Sequence, residues 1–87
     1  MEFEFDPAKS ESNRIKHGID FVEAQELWDD PNHLIAPAQS VSELRYALVG
    51  RWRNRIWTCI FTPRNENLRI ISARRARENE EERYYLS

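Results

Sequence analysis

Several residue types that support familiar enzyme sites are scarce in this sequence. The chain has one cysteine, two glycines and two histidines among its 87 residues. The single Cys59 excludes an internal disulfide and favours a reducing compartment. Two glycines cannot supply a glycine-rich phosphate loop, and neither a nucleophile elbow nor a pair of neighbouring histidines is present. These absences argue against the common nucleotide-binding and serine-type hydrolases.

Long apolar runs are also absent. Residues 1–6 alternate acidic and aromatic side chains, a pattern unlike a signal peptide or a membrane span. We therefore expect a cytoplasmic protein with no membrane partner. The length suits one domain, which we expect to cover residues 1–87 and to fill its core from four Phe, three Trp and three Tyr side chains.

The net charge of −2 conceals a separation of charge along the chain. Residues 1–42 hold nine acidic and three basic side chains, whereas residues 43–77 hold nine arginines and two glutamates. Residues 78–87 return to acid, with four glutamates and one arginine. A segment whose cations are all arginine is typical of phosphate binding, because guanidinium pairs with phosphate oxygens. Alternatively, these arginines face the acidic flanks of the same molecule.

The amino-terminal part of the chain predicts a strand followed by a helix. Residues 2–5 alternate with period two, which indicates a short strand. Asp6 and Pro7 suit the N-cap and the first position of a helix. We expect this helix to end at His17, because Gly18 can adopt the positive φ angle that a helix C-cap needs.

A second helix is predicted directly afterwards. Asp20 and Glu23 form a capping-box pattern at its start, and residues 29–32 contain the turn residues that end it. Apolar residues recur at helical spacing between these limits, which predicts one buried face. They are Phe21, Ala24, Leu27 and Trp28.

The remainder of the chain changes to the period of β-strands. The predicted strands cover residues 33–36, 44–52, 55–62 and 68–73. A polar stretch at 37–42 follows the first, and short loops at 52–55 and 63–67 join the others, which must therefore be antiparallel. A terminal helix follows Arg74 and ends near Tyr85. We expect an α+β fold in which a four-stranded antiparallel sheet carries two N-terminal helices and a C-terminal helix.

Short motifs follow one another in a distinctive order over nearly the whole chain. The most specific is the run Arg69-Ile70-Ile71-Ser72-Ala73-Arg74-Arg75-Ala76, followed by Glu80 or Glu81 and then Tyr84. The earlier motifs are Phe5-Asp6, Lys9, Asn13, Lys16-His17-Gly18-Ile19, Phe21, Ala24, Asp29-Asp30-Pro31, Glu43, Arg45 and Gly50. No single motif is specific by itself. In combination, their order and spacing resemble the pattern of the BrnT family.

This resemblance implies both a fold and a function. BrnT proteins have a RelE-like fold and are the toxins of type II toxin–antitoxin pairs. The implied activity is that of an endoribonuclease that cleaves RNA without a metal ion or other cofactor, and so inhibits translation and growth. The implied partner is a BrnA antitoxin with a ribbon-helix-helix part, which neutralises the toxin. Operator DNA would be contacted only through that antitoxin.

Candidate catalytic residues follow from the chemistry of metal-free RNA cleavage. The 2′-hydroxyl of RNA attacks the adjacent phosphate, so the enzyme must transfer protons and neutralise charge on the phosphate oxygens. His17 is the best acid–base candidate because histidine titrates near neutral pH, while Lys16 and Arg74 would hold the phosphate. Each of the first two has a structural alternative: His17 as a helix cap, and Lys16 as a solvated surface cation.

A second group of residues is expected to bind RNA. Arg45 and Arg75 are candidate phosphate ligands, although Arg74 and Arg75 cannot face one site if their strand stays extended. Of the tryptophans in the predicted sheet, Trp52 is a candidate for stacking on a base, whereas core packing is favoured for Trp57.

Three other features receive structural interpretations. We expect Cys59 to be a buried thiol, and His33 to belong to a capped turn beside two aspartates and not to a metal site. The glutamates of residues 78–82 are expected on a solvated helix face. Alternatively, these glutamates cover the arginines or contact an antitoxin.

A rival function is that of a non-catalytic nucleic-acid-binding or regulatory partner protein. The arginines would then bind phosphate without cleavage. The sequence pI of about 5.7 weakens this interpretation, because most nucleic-acid-binding domains are strongly basic. The same acidity is unusual for a toxin that acts on RNA.

Overall fold

The computed structural model describes residues 2–40 and 42–87 of the chain. Its elements are β1 (Phe3–Glu4), α1 (Pro7–His17), a 3₁₀ helix (Glu23–Asp29), β2 (Leu34–Ala38), β3 (Arg45–Trp52), β4 (Arg55–Arg64), β5 (Asn67–Arg75) and α2 (Glu78–Leu86). The strands form one sheet in the order β1-β5-β4-β3-β2. The helix α1 and the 3₁₀ helix pack on one face of this sheet, and α2 packs on the other. The expected α+β class and the C-terminal helix are confirmed.

The first helix has the limits that its capping residues predict. Asp6 Oδ1 accepts a hydrogen bond of 2.9 Å from the backbone N–H of Ala8, and Pro7 occupies the first helical position. At the other end, Gly18 has a φ of 85° and its N–H donates to the carbonyl of Arg14 at 2.9 Å. The predicted helix from Pro7 to His17 is therefore confirmed.

The second predicted helix is a 3₁₀ helix, which corrects the expectation of an α-helix. The capping pair is present, because Asp20 Oδ1 accepts from the N–H of Glu23 and Glu23 Oε1 accepts from the N–H of Asp20. Farther along, the side-chain amide of Gln25 donates to the carbonyl of Phe21, the usual acceptor for the backbone N–H of Gln25 in an α-helix. That N–H bonds to the carbonyl of Val22 instead, which gives 3₁₀ spacing.

The sheet has five strands and is mixed, whereas four antiparallel strands were expected. The antiparallel part, β2 to β5, is present as predicted. The fifth strand is β1, which lies parallel to β5 with Phe3 beside Leu68 and Glu4 beside Arg69. The alternation of residues 2–5 predicted the strand itself. It could not predict the partner, because the two paired segments are separated by most of the chain.

Two tight turns connect the last three strands. Arg53 and Asn54 both have positive φ angles, 49° and 63°, as a type I′ hairpin turn requires. The β4–β5 turn is shorter than the predicted loop, because Arg64 pairs with Asn67 and Asn65 takes a positive φ of 59°. In the predicted polar stretch at 37–42, β2 continues to Ala38, and Val41 lies outside the described residues.

The two faces of the sheet bury different parts of the core. The larger cluster lies under α1 and the 3₁₀ helix, and includes Phe21, Leu27, Leu48, Trp57 and Cys59. Cys59 is fully buried, and burial raises the pKa of its thiol. The predicted buried cysteine is confirmed. The smaller cluster lies under α2 and consists of Val49, Ile56 and Tyr84.

One buried side chain joins α1 to the edge of the sheet. Beyond the short β1, no strand within residues 2–40 and 42–87 pairs with the outer edge of β5, and Asn13 fills this position. Asn13 Nδ2 donates to the carbonyls of Ala73 and Ile19, both at 2.8 Å, and its Oδ1 accepts from the N–H of Ala73 at 3.3 Å. The amide thus pairs with the backbone of β5 as a neighbouring strand would. This contact fixes the position of α1 against β5.

Replacing Asn13 by alanine is expected to destabilise the chain strongly. The N–H and carbonyl of Ala73 and the carbonyl of Ile19 would lose their partner in a buried site. We expect the free energy of unfolding to fall by about 3 kcal/mol, measured by urea denaturation. Ser12→Ala, on the exposed part of the same helix, serves as the control and should change it by less than about 0.5 kcal/mol. Equal unfolding midpoints for the two variants would contradict the role of Asn13.

Candidate nucleic-acid interface

Lys16 and His17 lie at the carboxyl end of α1, beside the outer edge of β5. Lys9, Ser12 and Lys16 follow one another at spacings of three and four, so they share the helix face that Asn13 fastens to β5. A groove of about 240 Å³ follows this face, and we call it the α1 groove. Its lining residues are Lys9, Ser12, Asn13, Lys16, His17, Phe21, Ile71 and Ser72.

The structure does not use His17 as the cap of α1. The last turn is closed by the backbone N–H of Gly18, which donates to the carbonyl of Arg14. The side chain of His17 is half-buried and lines the α1 groove together with Lys16. The two candidates for proton transfer and phosphate binding on α1 therefore lie in one groove.

Arg45 lies in a second groove, near the β4–β5 turn. The hydroxyl of Thr62 on β4 donates to the carbonyl of Leu44, next to Arg45, and Thr62 is in register with Arg69 on β5. We call the groove over this row the arginine groove, and its volume is about 540 Å³. Its lining residues are Lys9, Glu43, Leu44, Arg45, Thr62, Pro63, Arg64, Arg69 and Ile71.

The cations of the arginine groove outnumber its carboxylates. Glu43 Oε1 lies 3.0 Å from Nε of Arg45. The single carboxylate of Glu4 serves two guanidinium groups, at 3.5 Å from Arg69 and 3.7 Å from Arg64. Lys9 is the fourth cation, so four positive charges face two negative ones and the groove has a net charge of +2. These ion pairs are partly exposed, and such pairs exchange partners at little cost.

Arg74 lies in a third place, between the sheet and α2. Its guanidinium binds both carboxylate oxygens of Glu80, at 2.8 and 3.0 Å, and only 22% of its side chain is exposed. The hydroxyl of Thr58, opposite Arg74 on β4, donates to the same carboxylate at 3.0 Å. A groove of about 380 Å³ beside this pair, the α2 groove, is lined by apolar residues of the sheet and by Arg74, Arg77, Glu80 and Arg83.

Glu80 is strongly held in its charged form. Partial burial opposes ionisation, but hydrogen bonds from Arg74, the N–H of Arg77 and Thr58 outweigh it and lower the pKa of Glu80 to about 2. The expectation that residues 78–82 form a solvated face is therefore wrong for Glu80. Glu80 projects from α2 towards the sheet and covers Arg74. This agrees with the alternative that these glutamates cover the arginines.

A second carboxylate attaches α2 to the rest of the molecule. Asp30 Oδ2 accepts from the hydroxyl of Tyr84 at 2.6 Å and from the N–H of Arg51 at 2.8 Å, while its Oδ1 accepts from the N–H of Asn32. Burial opposes ionisation of Asp30, but these hydrogen bonds outweigh it, and its pKa is lowered. His33 Nδ1 lies 2.7 Å from the carbonyl of Asp30, so this histidine belongs to the capped turn, as expected.

Arg75 points away from Arg74, as the alternation of an extended strand predicted. The guanidinium of Arg75 lies 5.6 Å from the ring centre of Trp57, which belongs to the core under α1 and the 3₁₀ helix. Trp57 itself is 6% exposed, so core packing is confirmed for this tryptophan. Arg74 and Arg75 therefore serve opposite faces of the sheet.

Trp52 is a poor platform for an RNA base. Its side chain is 8% exposed, its ring meets Trp57 edge-on, and the guanidinium of Arg53 stacks on it at 4.3 Å. Three carboxylates line the hollow beside it against two arginines, so its net charge of −1 does not favour phosphate. The stacking role predicted for Trp52 conflicts with this burial, and we assign the residue to the core.

The predicted site residues are thus divided among three grooves. Lys16 and His17 share the α1 groove, Arg45 lies in the arginine groove, and Arg74 lies in the α2 groove. Ser72 connects two of these places, because it lines the α1 groove and precedes Arg74 by two residues on β5. Alternate residues of a strand lie about 7 Å apart on one side, so Arg74 is one step beyond Ser72.

Some residues of these grooves were not singled out from the sequence. Lys9 lies seven positions before Lys16, and this helical spacing alone would have placed it on the same face. Arg64 and Arg69 could not be found in this way. They come together only through the pairing of β4 with β5 and of β1 with β5.

Two further observations concern other kinds of site. Among residues 2–40 and 42–87, no three His, Cys, Asp or Glu side chains form a group that could hold a metal ion. In the same part of the chain, no helix has the length and apolar character needed to cross a membrane.

A small α+β domain with arginine- and lysine-lined grooves has the features of a protein that acts on nucleic acid. Comparison with protein families makes this class specific. The model of the BrnT family, described as the ribonuclease toxin of type II toxin–antitoxin systems, matches residues 5–80. The chain belongs to this family. It is therefore a ribonuclease toxin whose system includes an antitoxin partner. No curated protein sequence matches the chain.

The attachment of α2 to the sheet is expected to weaken at acid pH. Because the pKa values of Glu80 and Asp30 are lowered in the folded chain, both carboxylates stabilise it fully above their ordinary values of 4.5 and 3.8. This stabilisation is lost as the pH falls, for Glu80 towards about 2. We expect the backbone amides of α2 to lose hydrogen-exchange protection in this range before those of the central strands.

Two substitutions on α2 test this expectation. Glu80→Gln should weaken the protection of α2 already at neutral pH and reduce its dependence on acid. Glu82→Gln removes the same charge from an exposed position of the same helix and should leave the pH profile unchanged. Identical profiles for the two variants would contradict the role of Glu80.

Proposed function

We propose that this toxin is a metal-independent endoribonuclease that cleaves RNA at the outer edge of β5 and thereby inhibits translation and growth. Its proposed location is the cytoplasm. The observation that supports the proposal best is the α1 groove, which an imidazole and an ammonium group both line beside the outer edge of β5. These groups suit proton transfer and phosphate binding without a metal ion.

The proposed reaction is an internal transesterification of RNA. The 2′-oxygen attacks the adjacent phosphorus as its proton leaves, and the bond from phosphorus to the 5′-oxygen breaks as that oxygen receives a proton. The products are a 2′,3′-cyclic phosphate and a free 5′-hydroxyl. His17 would exchange protons with one of the two oxygens, and Lys16 would stabilise negative charge on the phosphate.

The arginines would supply the remaining charge. Arg45 belongs to the arginine groove, which shares Lys9 and Ile71 with the α1 groove. Arg75 would contact RNA on the opposite face of β5 from Arg74. For Arg74 to bind a phosphate, the phosphate must replace the carboxylate of Glu80, which already offers the guanidinium two oxygens in bidentate geometry.

The proposed partner is a BrnA-type antitoxin with a ribbon-helix-helix DNA-binding part. It would neutralise the toxin and carry the complex to operator DNA, so that the toxin itself would not contact DNA. The family assignment supports an antitoxin partner. That this antitoxin is of the BrnA type is our proposal.

The catalytic assignment is tested with purified protein and a short RNA in the presence of EDTA. We expect cleavage to persist in EDTA, and His17→Ala or Lys16→Ala to lower the rate by about 10²- to 10⁴-fold, because each removes a group that acts on the transition state. Arg55→Ala, an exposed arginine at the β3–β4 turn, serves as the control and should cleave normally. Full activity of both α1 variants in folded form would disprove these roles.

Arg74 requires a test that separates a catalytic role from a structural one. Its guanidinium is already bound by Glu80, as it would be in the rival function, a regulatory partner that does not cleave RNA. Arg74→Ala and Glu80→Gln break the same ion pair, but only the first removes the guanidinium. If Arg74 binds phosphate, Arg74→Ala should lose at least about 10²-fold in rate while Glu80→Gln continues to cleave. Equal loss in both variants, in step with loss of stability, would make Arg74 a structural residue.

The family function as a whole is tested by growth. Induced expression should arrest growth, and expression of the cognate antitoxin should relieve the arrest. Neither arrest nor cleavage by the wild-type protein, together with tight binding to the antitoxin, would support the regulatory alternative.

A further inference from the structure

The α1 groove and the arginine groove are continuous. Lys9 and Ile71 line both of them, so the two grooves meet at the amino-terminal half of α1. Together they lead from Arg45 and Arg69, near the β4–β5 turn, past Lys9 to Lys16 at the end of α1. The cations therefore follow one path and do not form a single cluster.

The charge of this path is less neutralised on α1 than on the sheet. Within the described part of the chain, Arg45, Arg64 and Arg69 pair with carboxylates, whereas Lys9 and Lys16 take part in no ion pair. The remaining cation of α1, Arg14, points to a different side of the helix. It pairs there with Glu11.

The spacing of the two lysines suits the backbone of a stacked nucleic-acid strand. Seven residues of an α-helix span about 10.5 Å, so Lys9 and Lys16 are separated by about that distance along α1. A stacked strand rises only about 3.4 Å per nucleotide along its axis, so a strand that follows α1 places more than one phosphate within this distance, and the two lysines can bind different phosphates. Apolar groups lie along the path beside the cations, where bases can rest: Ile71, which is half-buried, and Leu44, which is 61% exposed.

We propose that the α1 groove and the arginine groove form one track for single-stranded RNA, in which Lys9 and Lys16 bind different phosphates of the strand, and Arg64 and Arg69 bind the strand farther along. This inference rests on the proposed cleavage at the α1 groove and adds to it the residues that position the substrate. Lys9, Arg64 and Arg69 are positioning residues, because they lie away from the reacting phosphate.

Arg64 and Arg69 can join this track without a large rearrangement. Both are at least 32% exposed, and they share the single carboxylate of Glu4 at distances of 3.5 Å or more. Each phosphate of an RNA strand offers two unesterified oxygens, so successive phosphates can bind the two guanidinium groups separately. An acidic segment of a protein partner would also be attracted here, and the experiment distinguishes this occupant.

The experiment measures binding separately from cleavage. The probe is a short single-stranded RNA with 2′-O-methyl groups, which lacks the attacking hydroxyl, and its affinity is measured by fluorescence anisotropy between about 50 and 200 mM salt. Lys9→Ala should raise the Kd several-fold and reduce the salt dependence by about 0.7 in the slope of log K against log salt, the effect of one phosphate contact. Arg64→Ala should act in the same direction.

A matched control lies on the same helix. Arg14→Ala also removes one positive charge from α1, but from the side that Glu11 occupies, so it should leave the affinity and the salt slope unchanged. With cleavable RNA, Lys9→Ala should raise KM and leave kcat within about twofold of the wild type, because positioning contacts of this kind act on binding. Lys16→Ala should instead lower kcat.

The outcomes separate this inference from the proposed function. If the wild type cleaves RNA and both Lys9→Ala and Arg64→Ala bind the probe as the wild type does, the track is wrong and the cleavage proposal stands. If Lys9→Ala lowers affinity for the antitoxin and not for RNA, the path is a protein-docking surface and the inference is also overturned. If the wild type neither binds nor cleaves RNA, both proposals fall.

Discussion

The arrangement of the candidate site depends on the hydrogen bonds of one buried amide. Asn13 binds the N–H and the carbonyl of Ala73 and thereby completes the edge of β5 that β1 is too short to cover. The same side chain holds the carbonyl of Ile19, just after the turn that ends α1. Because the backbone groups of a strand are fixed by the sheet, the helix that carries Asn13 is fixed with them.

This constraint links stability to the site. Lys9 and Lys16 lie on the same face of α1 as Asn13, four residues before it and three residues after it. The positions of these lysines relative to Ser72 and Ile71 therefore follow from a contact that neither lysine makes. The same amide therefore contributes to stability and orients the groove.

Much of the arginine charge is paired with carboxylates within the molecule. Five of the nine arginines of residues 43–77 pair with glutamates: Arg45, Arg53, Arg64, Arg69 and Arg74. The alternative that arginines face the acidic flanks is thus correct for four of these five, since the partner of Arg45 is Glu43 within the same segment. It does not remove the attraction for RNA, since exposed ion pairs are weak and a polyanion can compete for the cations. A low pI and a cationic path can therefore coexist in one chain.

The sequence predicted local structure better than long-range pairing. The limits of α1, the turn at Arg53-Asn54 and the opposite faces of Arg74 and Arg75 follow from rules that act over a few residues, and all are present. Two other contacts could not be predicted by such rules. The pairing of β1 with β5 joins segments that are distant in sequence, and the contact of Glu80 with Arg74 depends on how α2 packs on the sheet. The 3₁₀ helix departs from the predicted α-helix, and there the side chain of Gln25, in place of its backbone N–H, bonds the carbonyl of Phe21.

The predicted site residues show the same difference between local and long-range structure. His17 and Lys16 are neighbours in sequence, so their common groove could be expected. Arg74 was grouped with these two residues by motif alone. In the folded sheet it lies in a different groove from Lys16 and His17. Burial decided against Trp52 because a tryptophan at the end of a strand can face either solvent or the core, and the alternation pattern does not tell which.

The two edges of the sheet restrict how other chains can approach it. At one edge, the backbone of β5 is occupied by β1 and by Asn13. At the other edge, β2 contains Pro37, which has no N–H to donate to an added strand. Extension of the sheet by a foreign strand is hindered at both ends. Edge-to-edge self-assembly of the toxin through its sheet is disfavoured by the same features.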